Sequence, residues 1–227
     1  EESFWGAYAT AASSREVALK VACRHQDARA VALLLRELSG AALGAPAGMA
    51  FFAGARAKPS PVIRLFSTLV DKSSLELKLI DASAETTFIP PTAPVGVSAA
   101  RETHIPDIDD SPRSTRVEVP LETLAWGRSG DKGDKANVGV IARKPDYLPW
   151  IAATLTETYV ADRFAHFMTS PGIDRYYLPG ISALNFLLHN ALGGGGIASL
   201  RNDPQAKAYA QVLLDTPIMI PQHLLEA

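Results

Sequence analysis

The sequence predicts an α+β fold in two segments, and three observations carry that expectation. The 227 residues are 47% hydrophobic and 20% charged, an ordinary globular composition that is large enough to bury a proper core. Residues 116–227 alternate strand-like and helix-like patterns in the order β-β-α-β-α-β or close to it, an α/β sandwich. Residues 83–115 hold five prolines, few large apolar residues and no period, which marks a linker between that sandwich and residues 1–82.

Within residues 1–82, which read as β, α, loop, β, β, "REVALKVACRH" predicts a strand and "DARAVALLLRELSG" a helix. Asp27 can cap that helix, Val31, Leu34, Leu35 and Leu38 recur at helical spacing, and Gly40 can supply a left-handed stop. The Gly-, Ala- and Pro-rich residues 40–60 predict a long loop. "PVIRLFSTLVD" and "SLELKLID" then predict two strands joined at "DKSS". Cys23, in the apolar run "VALKVACRH", is expected to be a small buried hydrophobe. Phe4, Trp5 and Tyr8 are costly to expose, and with no initiator methionine the chain reads as part of a longer protein.

In the second segment, Val117, Val119 and Leu121 alternate before the register shifts to Leu124 and Trp126, as in a bulged strand. "GRSGDKGDKANVG" follows and connects it to the strand "ANVGVIAR". "DYLPWIAATLTETYVADRFAHFM" is helical, with Thr154 and Glu157 spaced as a capping box that would divide it in two. "YYLPG" reads as extended, while "ISALNFLLHN" fits either a buried strand or a short helix. "DPQAKAYAQVLLD" predicts a helix capped by Asp203 with Pro204 in its first turn, and "TPIMIP" a last strand.

Composition excludes several function classes. A net charge of −2 with scattered basic residues argues against nucleic-acid binding. No apolar run approaches a membrane span, and "VALLLRELSG" is interrupted by Arg36 and Glu37. One cysteine permits no disulfide within the chain, which fits a cytoplasmic location. Zinc, redox and α/β-hydrolase signatures are missing, as are Walker A and dinucleotide-binding loops. His104, His166 and His223 have no partners at ligand spacing, so the sequence points to no metal and identifies no cofactor.

Two stretches concentrate the chemistry. In "GRSGDKGDKANVG", glycines that make turns cheaply stand beside Arg128, Lys132 and Lys135, which together suggest an anion nest. Asp131 and Asp134, three apart, suit a shared cation or an acid and base pair; the alternative is a solvated hairpin whose charges compensate. In "LNFLLHNALGGGG", Asn185, His189 and Asn190 precede Gly193, Gly194, Gly195 and Gly196, a run that suggests close backbone approach to a ligand or another chain. His189 reads either as a general base or as a satisfied core histidine. Arg56, Lys58 and Ser60 end the long loop as a solvated edge or an anion contact.

"LAWGRSGDKGDKANVGVIAR", "YLPGISALNFLLHNALGGGGIASLRNDPQAKAYAQVLLD" and "ARAKPSPVIRLFSTLV" resemble the acyclic terpene utilisation AtuA family. The resemblance implies that residues 1–82 correspond to the end of the family's main domain and 116–227 to a ferredoxin-like domain. It also implies a link to citronellol and geraniol breakdown, which runs through branched acyl-CoA thioesters. Two functions follow as expectations. In the first, an enzyme acts on an acyl-CoA or carboxylate: Asp131, Asp134 and His189 move protons, while Arg128, Ser129, Lys132, Asn137, Asn185 and Gly193 to Gly196 bind substrate. In the second, the same surface docks a partner chain or another copy of itself, making a homo-oligomer.

Overall fold

The computed structural model of the chain describes residues 4–9, 16–45, 47–50, 57–64, 66–89, 104–108, 115–170 and 172–226. It divides into two compact units, one of residues 1–64 and 105–227 and one of residues 65–104. No helix among the described residues is long and apolar enough to cross a membrane.

Helix α1, Ala28–Gly44, starts where the sequence predicts, with the Asp27 carboxylate accepting the Arg29 amide. It does not stop at Gly40. A glycine inside a helix costs only about 1 kcal/mol against alanine, and the alanine-rich sequence after it carries the helix one more turn. Among the described residues, the strands expected at 15–25 and 61–71 do not form: 16–25, 61–64 and 66–71 lie in no sheet. Residues 16–25 are extended, yet no strand among the described residues lies beside them, so Val17, Leu19 and Val21 stay exposed. Cys23 is exposed for the same reason, not buried as its apolar neighbours suggested. Trp5 does pack against the core, and Tyr8 lies under the Arg163 guanidinium at 4.0 Å.

The smaller unit is a hairpin of β1, Leu77–Ile80, and β2, Glu85–Phe88, paired antiparallel with Leu77 opposite Phe88. The Asp81 carboxylate accepts the amides of Ser83 and Ala84 and closes the turn. Strand β2 therefore occupies the beginning of the expected linker; residues 90–103 and 109–114 lie outside the described residues.

From residue 116 the order is β3 (Arg116–Pro120), α2 (Leu121–Leu124), β4 (Ala125–Lys132), β5 (Lys135–Ala142), α3 (Leu148–Thr154), α4 (Glu157–Arg163), β6 (Ile173–Leu178), β7 (Ala183–Leu188), α5 (Tyr209–Leu214), β8 (Pro217–Pro221) and α6 (Gln222–Leu225). Strands β4-β5-β7-β6 form one antiparallel sheet, and β3 pairs antiparallel with β8. This is a mixed α/β fold with antiparallel sheets. The register shift after Leu121 is a full helical turn, not a bulge: Leu121 and Leu124, three apart, both point into the core. The break between α3 and α4 is where the sequence puts it, but Thr156, not Thr154, caps the second helix by accepting the Tyr159 amide. "ISALNFLLHN" resolves as strand β7. Helix α5 begins at Tyr209, beyond Asp203, whose carboxylate instead takes the amides of Gln205 and Ala208 in the turns that precede it.

Alternation along the large sheet makes one face apolar. Ala136, Val138, Val140, Leu184, Phe186 and Leu188 are buried on it. Helix α5 crosses β4, and α4 lies against β6. Gly127 is where α5 comes closest, since a Cβ there would sit 3.0 Å from a Leu214 methyl. Among the described residues, the buried hydrophobic core lies between Leu121 and Ile220.

Candidate functional site

"GRSGDKGDKANVG" is not a loop but most of strands β4 and β5 with a two-residue turn between them. Only Gly133 in that turn has a positive φ, +66°. Gly127, Gly130 and Gly139 lie in paired strands, where successive amides point to opposite sides, so the expected anion nest does not form here.

The turn fixes the glycine run. The Asp134 carboxylate accepts the Gly194 amide at 2.7 Å, and its carbonyl accepts the amides of Ala191 and Leu192. A Cβ on Gly195, whose φ is +89°, would approach the Gly133 carbonyl oxygen to 3.1 Å. At Gly195 the close backbone approach is thus made to the chain's own hairpin. Asp131 projects beside Gly196, which would place a Cβ 3.9 Å from its carboxylate. No group of three or more His, Cys, Asp or Glu among the described residues could hold a metal ion. Ser129 is buried: its hydroxyl accepts the Ala210 amide at 2.9 Å and donates to the Lys207 carbonyl. Lys58 and Ser60 are exposed, and Arg56 lies outside the described residues.

The remaining candidates gather on the other face of the large sheet, which the helices leave open. Register places Arg128, Gly139, Asn185 and Tyr176 in one cross-strand row and Gly130, Asn137, Leu187 and Asp174 in the next. The Asn137 amide donates to the Asn185 carbonyl oxygen at 2.8 Å, across two strands. Gly139 places no side chain between Arg128 and Asn185. Lys132 is exposed where β4 ends, opposite Lys135.

His189 follows β7 on this face, its amide bonded to the Gly172 carbonyl. Its Nε2 lies 2.7 Å from the Asp174 carboxylate, and the Tyr176 hydroxyl is 3.4 Å from the same oxygen. The bond from His189 is the main cause that holds the Asp174 carboxyl below the usual carboxylate range. Asp174 and Tyr176 were not among the sequence candidates, because they reach His189 only through pairing between β6 and β7. Strand spacing of about 4.8 Å and a rise of about 3.3 Å per residue put Arg128 and His189 about 16 Å apart, with the asparagine pair between. Such a spread suits an extended ligand more than a compact one.

Two family models match the chain. The acyclic terpene utilisation family protein AtuA matches residues 5–80, and the AtuA ferredoxin-like domain matches residues 119–219. The chain belongs to the AtuA family. The open sheet face, the His189–Asp174 pair and the locked glycine run all fall within the AtuA ferredoxin-like domain. No curated protein and no solved structure matches the chain.

Proposed function

We propose that the open face of the four-stranded sheet acts on an extended carboxylate or acyl thioester, of the branched kind met in the breakdown of acyclic terpenes. The observation that carries this reading is the His189–Asp174 pair on the same face as Arg128 and the Asn137–Asn185 amides. With the Nε2 proton given to Asp174, Nδ1 keeps its lone pair, and it has no partner among the described residues. That nitrogen is suited to exchange a proton beside a carboxyl or thioester carbonyl, the step shared by hydration, dehydration and carbon–carbon cleavage. Arg128 is suited to hold a carboxylate, and the asparagine amides to orient a carbonyl. Asp134 and Ser129 are engaged within the fold, in bonds to the glycine run and to helix α5. One cysteine and a membrane-span-free sequence favour the cytoplasm.

The test is thermal unfolding of the protein with coenzyme A, geranyl-CoA, citronellyl-CoA and the free acids, repeated with Arg128→Ala and His189→Asn. A ligand at a hundredfold excess over its Kd stabilises by about 2.7 kcal/mol, a readily measured rise in Tm. The reading expects a rise with an acyl thioester or acid that Arg128→Ala reduces, and turnover that His189→Asn abolishes while binding remains. No rise with any of them overturns it.

A second reading draws on Trp126, Ile141 and Leu178, which form one exposed row at the end of the same face. With Arg128 near one edge of the sheet and Asp174 on the other, two copies stacked about a two-fold axis would meet with opposite charges. Sedimentation would show a dimer that Trp126→Ser dissociates; a monomer at all concentrations removes this alternative.

A further inference from the structure

Beside the glycine run lies a shallow depression of about 340 Å³ lined by Arg24, Gly193, Ser199, Leu200 and Arg201. Its cations come from two distant parts of the sequence. Arg24 donates to the Ala198 carbonyl and Lys20 to the Arg201 carbonyl, so the extended residues 16–25 are tied to this loop by their two basic side chains. Arg201 donates to the Ala191 carbonyl and lies over the Phe167 ring.

The floor is built for close approach. A Cβ on Gly193, whose φ is +66°, would lie 3.3 Å from the Arg201 guanidinium and 3.6 Å from the Ser199 hydroxyl. Any other residue would thus be strained and would fill the space between these groups. The Ser199 oxygen accepts the Arg201 amide, which leaves its proton to donate outward. Among the described residues, the amides of Gly193, Gly195 and Gly196 have no hydrogen-bond acceptor, while that of Gly194 is bound to Asp134. Gly193, Gly194 and Gly195 all take positive φ, a backbone that other residues adopt only under strain. The nearby carboxylates of Asp134 and Asp203 are bonded to backbone amides of their own surroundings.

We propose that this depression binds a phosphate or pyrophosphate group, with Arg24 and Arg201 supplying charge from its lining, Lys20 adding charge beside it, and Ser199 and the Gly193 amide supplying neutral donors. Guanidinium forks match phosphate oxygens in pairs, and several donors on one small concave surface suit a group with three or more acceptor oxygens. The site goes beyond the sheet-face reading and stands without it, since it concerns other residues.

Titration calorimetry of the intact chain at low salt tests it with inorganic phosphate, pyrophosphate and coenzyme A, and with pantetheine as the phosphate-free control, at up to about 1 mM ligand. One-to-one binding of pyrophosphate or coenzyme A is expected, with none of pantetheine. The double variant Lys20→Gln, Arg24→Gln should weaken it about tenfold or more with at most a small fall in Tm, because the two side chains tie residues 16–25 to the loop but lie outside the buried core. Binding of coenzyme A alone would assign the site to a nucleotide-borne phosphate, and equal binding of pyrophosphate to the free ion. Absence of binding by all three anions, or binding that the double variant leaves intact, overturns the proposal.

Discussion

Asp134 and Asp174 are both aspartates near glycine, and the fold puts them to different uses. Asp134 accepts a backbone amide and holds the glycine run, whereas Asp174 accepts from a histidine ring and orients it. The second bond has a pH signature. Because the folded-state carboxyl of Asp174 titrates below its unfolded value, its contribution is present above the unfolded pKa of about 3.9 and is lost as pH falls through the folded pKa. The stability difference between the parent and Asp174→Asn, from urea unfolding, is therefore expected to shrink as pH falls below about 4. A difference that grows in acid would refute this. His189 was legible as a candidate from its neighbours, but whether it was a base or a core histidine depended on a residue 15 positions earlier. Only the β6–β7 register brings that carboxylate to it.

At the scale of elements, helix α5 starts without a cap from its own segment: its N-cap residue, Ala208, makes no side-chain bond. The Ser129 hydroxyl, from β4, accepts the Ala210 amide instead, so a strand caps the helix that packs on it. Ser129→Ala leaves that buried amide without an acceptor and is expected to lower stability by about 1–2 kcal/mol in urea unfolding, with little change in m. A loss below a few tenths would mean that water replaces the hydroxyl. Sequence spacing singled out Asp203 as the cap because it sits just before the apolar pattern, yet its carboxylate closes the turns ahead of the helix. The same limit appears at Leu121–Leu124, where a three-residue spacing fits a bulge or a single helical turn equally well. Burial of both leucines against the core selects the turn.

For the whole molecule, the distribution of burial explains why the two halves of the sequence differ in how far they could be read. Between residues 116 and 221 each strand has a neighbour in the same segment, so the alternating patterns lead directly to a paired and covered sheet. The patterns at 15–25 and 61–71 are as clear, but a strand exists only when another strand accepts its hydrogen bonds. Hydrogen exchange should follow this division. The amides of β5 and β7, central in the sheet, are expected to exchange slowest, near the rate set by global unfolding. Those of residues 16–25 and 57–64, extended and without ladder bonds, should exchange close to the rate of an open chain. If residues 16–25 prove protected at high protein concentration and not at low, their apolar side chains are covered by a second copy in solution. If they are protected at every concentration, pairing within the chain holds them, and the extended, unpaired state described for them is wrong.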